Sequence, residues 1–111
     1  MDERFKKFLE DIAMAIDNIR FHLQEKNDFI LFQSNKTIRS AVRYEFSVIG
    51  EALYKLLKLK PEFTISDSSK IIGLRNKMVH EYDMIDDAQV WNIIINYLPK
   101  LETEVQALLE R

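Results

Sequence analysis

The stretch GLRNKMVHEYD, residues 73–83, sets Arg75, Asn76, His80 and Tyr82 within eight positions. These residue types suit phosphate-ester chemistry. An arginine grips a phosphate with a planar fork of donors and keeps its charge at every working pH. A histidine is the side chain best able to take and return a proton near neutrality. An asparagine can orient the imidazole or donate to a phosphate oxygen, and a tyrosine can stack on a base or offer a phenolic oxygen. RNA brings its own nucleophile, the 2′-OH, so an Arg and a His would suffice without a metal ion or another cofactor. The histidine would deprotonate the 2′-OH, and the arginine would stabilise the charge that builds on the phosphorane-like transition state. Arg-x4-His alone is nevertheless a weak pattern, common by chance in soluble helices. His22 and His80 are the two histidines of the chain, and no carboxylate pair shares a face with His80 at ligand spacing, so no metal site is expected.

Spacing complicates the picture. On a helix turning about 100° per residue, Arg75 and Tyr82 lie within about 20° of each other, and Asn76 and His80 are neighbours one turn apart. Arg75 and His80 diverge by about 140°. They converge if the arginine side chain wraps, if the helix loosens near its end, or if a second chain completes the site. Gly73 is a mid-helix glycine that costs about 1 kcal/mol relative to alanine, which suggests a close approach by another helix or by substrate.

The elements that must hold these residues are helical. Phe5, Leu9, Ile12, Ile16, Ile19 and Leu23 recur at spacings of three and four, which predicts an amphipathic helix over residues 2–26. His22 borders its apolar stripe as a boundary residue. The stretch NDFILFQSN breaks the period and carries turn formers. A second helix is expected over 36–60 and ends at Pro61. A third, over 67–82, contains the Arg/His stretch, with Ser66 or Asp67 as N-cap. A fourth begins after Asp86, whose pairing with Gln89 approximates a capping box, and its seam runs Trp91, Ile94, Leu98, Leu101, Val105 and Leu108. Pro99 should kink it. Val90, Trp91, Ile93, Ile94 and Ile95 cover more than one face of that helix, which fits either a homodimer or deep burial within one chain. The expected architecture is an all-α, antiparallel four-helix bundle in one domain over residues 1–111.

Composition narrows the function classes. The chain has 111 residues, 47% hydrophobic and 31% charged, with two glycines, two prolines and no cysteine. That balance excludes a disordered chain, a many-stranded β fold, a disulfide framework and a thiolate metal site. The N-terminus carries scattered charges and does not read as a secretory signal, and no apolar run reaches the roughly 18 residues of a membrane span. A cytoplasmic protein is expected. The net charge of −2 argues against a bulk nucleic-acid coat. Its distribution is uneven: residues 36–77 carry nine basic and four acidic side chains, a local balance of +5, against −7 elsewhere.

The longer stretch IIGLRNKMVHEYDMIDDAQVWNIIINYLPKL, residues 71–101, resembles the signature of the HepT-like branch of the HEPN superfamily. That signature runs IxGLRNxxxHxY, then ID, then VW, then LPxL. Upstream, AVRYEFSVIGEA resembles the second helix of the same family. The resemblance implies an antiparallel helical bundle that dimerises, with its Arg and His in a cleft between protomers. It implies a metal-independent endoribonuclease, the toxin of a two-gene, type VII-like toxin–antitoxin pair. The implied antitoxin is a minimal nucleotidyltransferase that transfers AMP to the motif tyrosine. On this chain the implied catalytic pair is Arg75 and His80, supported toward RNA by Asn76, Lys77 and Glu51, with Tyr82 as the nucleotidylation acceptor. Two other readings stay open: a non-catalytic, nucleotide-binding partner of a small nucleotidyltransferase, and a purely structural helical dimer.

Overall fold

The computed structural model describes residues 2–81, 83 and 85–111. Six helices follow in order: α1 (Glu3–His22), α2 (Phe29–Ser34), α3 (Lys36–Leu59), α4 (Ser68–His80), α5 (Asp87–Asn96) and α6 (Leu98–Leu109). The expected four-helix bundle is present in α1, α3, α4 and the α5–α6 pair. No strand occurs among the described residues.

Two departures from the sequence expectation have local causes. The turn formers of NDFILFQSN act as caps: the Asp28 carboxylate accepts from the Leu31 N–H at 3.2 Å and the Asn35 side chain accepts from the Ile38 N–H at 3.0 Å. Between them lies α2, a short helix anchored by fully buried Phe32. The second departure is at Pro99, which breaks the fourth helix outright. Proline has no N–H to donate and its ring crowds the preceding turn, so α5 ends at Asn96 and α6 restarts with the proline in its first turn.

The predicted seams form the core. Phe5, Leu9, Ile12, Ile16, Ile19 and Leu23 of the first helix are all buried, facing Val42, Phe46, Ile49, Leu53 and Leu56 of α3. α6 closes the other side of α1 with Leu101, Val105 and Leu108, and α4 rests on α3. Arg20 of α1 and Glu102 of α6 pair through two hydrogen bonds across this contact. The Asp86–Gln89 capping box at the start of α5 is complete, with bonds of 2.9 and 3.0 Å. Asp67 occupies the N-cap position of α4, but in a left-handed conformation and without a side-chain cap bond; nearby, the Glu104 carboxylate accepts from the Ser66 N–H at 3.0 Å.

Most of the wide apolar surface of α5 is covered within the chain. Val90, Ile93 and Ile94 are buried, and Trp91 stacks on Phe32 at 5.5 Å and meets Phe29 edge-on at 5.7 Å. Burial within the chain, with α2 as cover, accounts for Val90, Ile93 and Ile94, while Trp91 and Ile95 are half-buried. Among the described residues no helix is long and apolar enough to cross a membrane.

Candidate active site

Arg75 reaches its position because α4 comes unusually close to α3. Ile71 and Met78 bury the inner face of α4, and Arg75 borders that face. Its aliphatic stem lies directly across Gly50: a Cβ built there would stand 2.4 Å from Arg75 Cβ and 2.5 Å from Cγ. Any side chain at this position would push α4 away from α3. The close approach expected at Gly73 is therefore found at Gly50, while Gly73 has nothing within 4 Å of its would-be Cβ. The signal for Gly50 was available in VIGEA, a glycine in the middle of a long helix.

The guanidinium is held in a groove of about 290 Å³ lined by Phe8 and Asp11 of α1, Ser47, Glu51 and Lys55 of α3, and Arg75 itself. Arg75 Nη2 pairs with Glu51 Oε2 at 2.9 Å, and Nη1 donates to Asn76 Oδ1 at 3.2 Å. Glu51 also faces Lys55 Nζ at 3.5 Å, so charges alternate along the groove wall. Arg75 Nε is buried with no hydrogen-bond partner among the described residues. Of the five N–H donors of the fork, Glu51 and Asn76 engage the two outer nitrogens on one side each, which fixes the plane and leaves donors for an anion.

His80 stands elsewhere. α4 remains α-helical through His80, and its last turn closes with the Glu81 N–H donating to the Lys77 carbonyl at 2.7 Å. The loosened helix end that could have turned His80 toward Arg75 is absent. On a regular helix the two side chains point about 140° apart, and His80 is exposed while Arg75 is only part-exposed. No hydrogen bond reaches the His80 imidazole among the described residues. Asn76, one turn before His80, bonds to Arg75 instead of the imidazole. Lys77 is exposed on the far side of α4. The structure thus brings Arg75, Asn76 and Glu51 together and leaves His80 and Lys77 on another face. Tyr82, the expected nucleotidylation acceptor, lies outside the described residues.

The chain beyond α4 is tied back to α3. Arg43 Nη2 donates to Asp87 Oδ1 at 2.9 Å and to the Ile85 carbonyl at 3.3 Å, and Ile85 is buried. This clamp fixes where the chain goes after His80. Sequence reasoning did not assign Arg43 that role.

Comparisons with known proteins agree on one family. The profile described as Ribonuclease HepT-like matches residues 12–108. Over 102 residues the chain is 32% identical to "Putative RNase MJ1380" of Methanocaldococcus jannaschii, covering 91% of this chain and 93% of that protein. It is 29% identical over 106 residues to "Putative RNase MJ0125" of the same organism, covering 95% and 90%. It is also 29% identical over 112 residues to "Probable ribonuclease HepT" of Thermococcus cleftensis, covering 97% and 98%. No solved structure matches the chain significantly.

Proposed function

This chain belongs to the HepT-like ribonuclease family, and from that premise we propose that it is a metal-independent endoribonuclease whose site is completed by a second copy of the chain. The observation that carries the reading is the division of α4: Arg75 is fixed on one flank by Gly50, Glu51 and Asn76, and His80 is presented on another. One straight helix cannot aim both at a single phosphate, but two helices related by a two-fold axis can. Exposed apolar side chains flank the arginine groove and support a partner there. Tyr44 is one turn before Val48 on α3, and Val79 is one turn after Arg75 on α4; they are 67% and 49% exposed.

The reaction is transesterification. His80 takes the 2′-OH proton as the 2′-oxygen attacks the adjacent phosphorus, and Arg75 holds the non-bridging oxygens as negative charge builds. The bond from phosphorus to the 5′-oxygen breaks, that oxygen takes a proton from water, and His80 releases the proton it took to solvent, which leaves a 2′,3′-cyclic phosphate and a 5′-hydroxyl. Glu51 keeps the guanidinium plane oriented, and Asn76 supports it from the opposite nitrogen. In cells the reading extends to a toxin neutralised by a minimal nucleotidyltransferase that adenylylates Tyr82, two residues beyond His80. A phosphodiester on a residue so close to His80 in sequence would set bulk and negative charge against a polyanionic substrate.

Single-stranded RNA incubated in chelator should yield cyclic-phosphate ends with wild-type protein. His80→Ala should lower the rate by about 10²- to 10⁴-fold, the usual worth of a proton-transfer group. Methylating the 2′-oxygens should abolish cleavage. Unimpaired cutting by His80→Ala, or cutting of the methylated strand, would reject the mechanism. Stable co-purification with a nucleotidyltransferase and no cleavage in any condition would point to the non-catalytic partner role.

A further inference from the structure

A second groove lies on the other side of α4 from Arg75. It is about 360 Å³, between α4 and α5, and its lining includes Lys70, Gly73, Lys77, Gln89, Asn92 and Tyr97. Among the described residues no carboxylate lines it, in a protein with 18 acidic residues against 16 basic ones. The acids that border it are Asp67, which acts on Lys70, and Asp86, whose carboxylate accepts from the Gln89 N–H at 2.9 Å.

Three features of this groove are unexplained by the fold. Gly73 sits mid-helix, at a cost of about 1 kcal/mol relative to alanine, yet nothing packs within 4 Å of where its Cβ would be. Lys70 Nζ is 5.1 Å from the centre of the Tyr97 ring and 3.3 Å from its hydroxyl, an arrangement that sets ring and ammonium along one wall. Asn92 accepts from the Asn96 amide at 2.6 Å, which leaves the Asn92 NH2 group to donate outward. The helical register then links the groove to the chemistry. Gly73 and His80 are seven residues apart on an unbroken helix, within about 20° of one face and about 10 Å along the axis.

We propose that the α4–α5 groove is a docking track for the RNA strand as it leaves the His80 face. Lys70 and Lys77 take successive phosphates, and one base stacks on Tyr97 with its edge toward Gln89 and Asn92. The missing side chain at Gly73 lets the backbone lie close to the helix. The track rests on the ribonuclease reading, which supplies the substrate class. It adds a strand-binding surface that neither Arg75 nor His80 provides.

Fluorescence anisotropy with a labelled 2′-O-methyl oligoribonucleotide of about ten nucleotides tests it, since such a strand binds without being cut. The double variant Lys70→Ala/Lys77→Ala should bind about tenfold more weakly or worse, and the slope of log affinity against log salt should fall by about 1.4, two phosphates at about 0.7 each. Tyr97→Ala should cost about tenfold, the usual worth of one stacked base. Gly73→Glu, a good helix former set in open space, should keep the full helical signal and still weaken binding.

Unchanged affinity and salt slope in the folded lysine and glycine variants would overturn the track, even if wild-type protein cleaves RNA. Wild-type protein that binds the strand through these residues but cuts no RNA would uphold the track and reject the catalytic reading. Wild-type protein that neither binds nor cuts would overturn both.

Discussion

Gly50→Ala and Gly73→Ala are the same substitution in two helix interiors, and the structure predicts opposite signs. In an ordinary helix interior, alanine gains up to about 1 kcal/mol over glycine. At Gly73 nothing opposes that gain, because the added carbon meets open space. At Gly50 the new Cβ would stand 2.4 Å from Arg75 Cβ, where ordinary contact begins at 3.4 Å. Both atoms are anchored directly to backbone, so neither can swing away; α4 must withdraw from α3 by about 1 Å, at a typical overpacking cost of about 1–3 kcal/mol. The balance puts Gly50→Ala between neutral and about 2 kcal/mol less stable than wild type, and Gly73→Ala about 0.5–1 kcal/mol more stable. At about 4 °C per kcal/mol for a domain of this size, the two melting temperatures should separate by roughly 2–12 °C. Thermal and urea unfolding of the three proteins measure this. The same withdrawal should lower the RNA cleavage rate of Gly50→Ala, since Arg75 loses its seat. If both variants gain stability equally, Arg75 does not lie across Gly50 and the account of its positioning fails.

Other predictions concern the frame. Phe32→Ala should cost about 3–5 kcal/mol, because a fully buried ring stacked on Trp91 is lost and α2 comes away from α5; denaturant titration reads the loss. Asp86→Ala should cost about 1 kcal/mol by removing one half of the capping box, and Asp86→Asn should recover most of it. Hydrogen bonds from Arg20 hold the Glu102 carboxyl below its ordinary value of 4.5. A carboxyl with a depressed folded value contributes stability that is full above its unfolded value and fades as pH falls through the folded one. Glu102→Gln should therefore cost up to about 1 kcal/mol at neutral pH, limited by the 41% exposure of Arg20, and the gap from wild type should close below about pH 4.5.

Periodicity made most of the frame legible. Every seam residue of the first helix is buried, and the capping box at Asp86 forms as its sequence suggests. Two features escaped because they depend on what a segment packs against. NDFILFQSN has no helical period, so α2 becomes visible only once Phe29 and Phe32 find Trp91. Pro99 suggests a kink, but the helix breaks outright because α6 can restart with the proline in its first turn. At the site, residue types and the family motif identified Arg75, Asn76, His80 and Glu51 as candidates. Periodicity also gave the 140° divergence. It could not say that Gly50 rather than Gly73 is the close contact, since a glycine's neighbours belong to another helix. Nor could it show that Asn76 turns to Arg75, because a shared face with His80 does not decide where an amide points.

The central claim is that Arg75 of one chain works with His80 of another, and mixing two dead variants tests it most directly. Arg75→Ala and His80→Ala proteins are combined in equal amounts, allowed to exchange subunits, and assayed for RNA cleavage in chelator. Half of the resulting dimers would be mixed, each with one intact and one doubly defective site, so the account predicts recovery of about a quarter of wild-type activity. A mixture that forms mixed dimers and remains as inactive as its parents would contradict it.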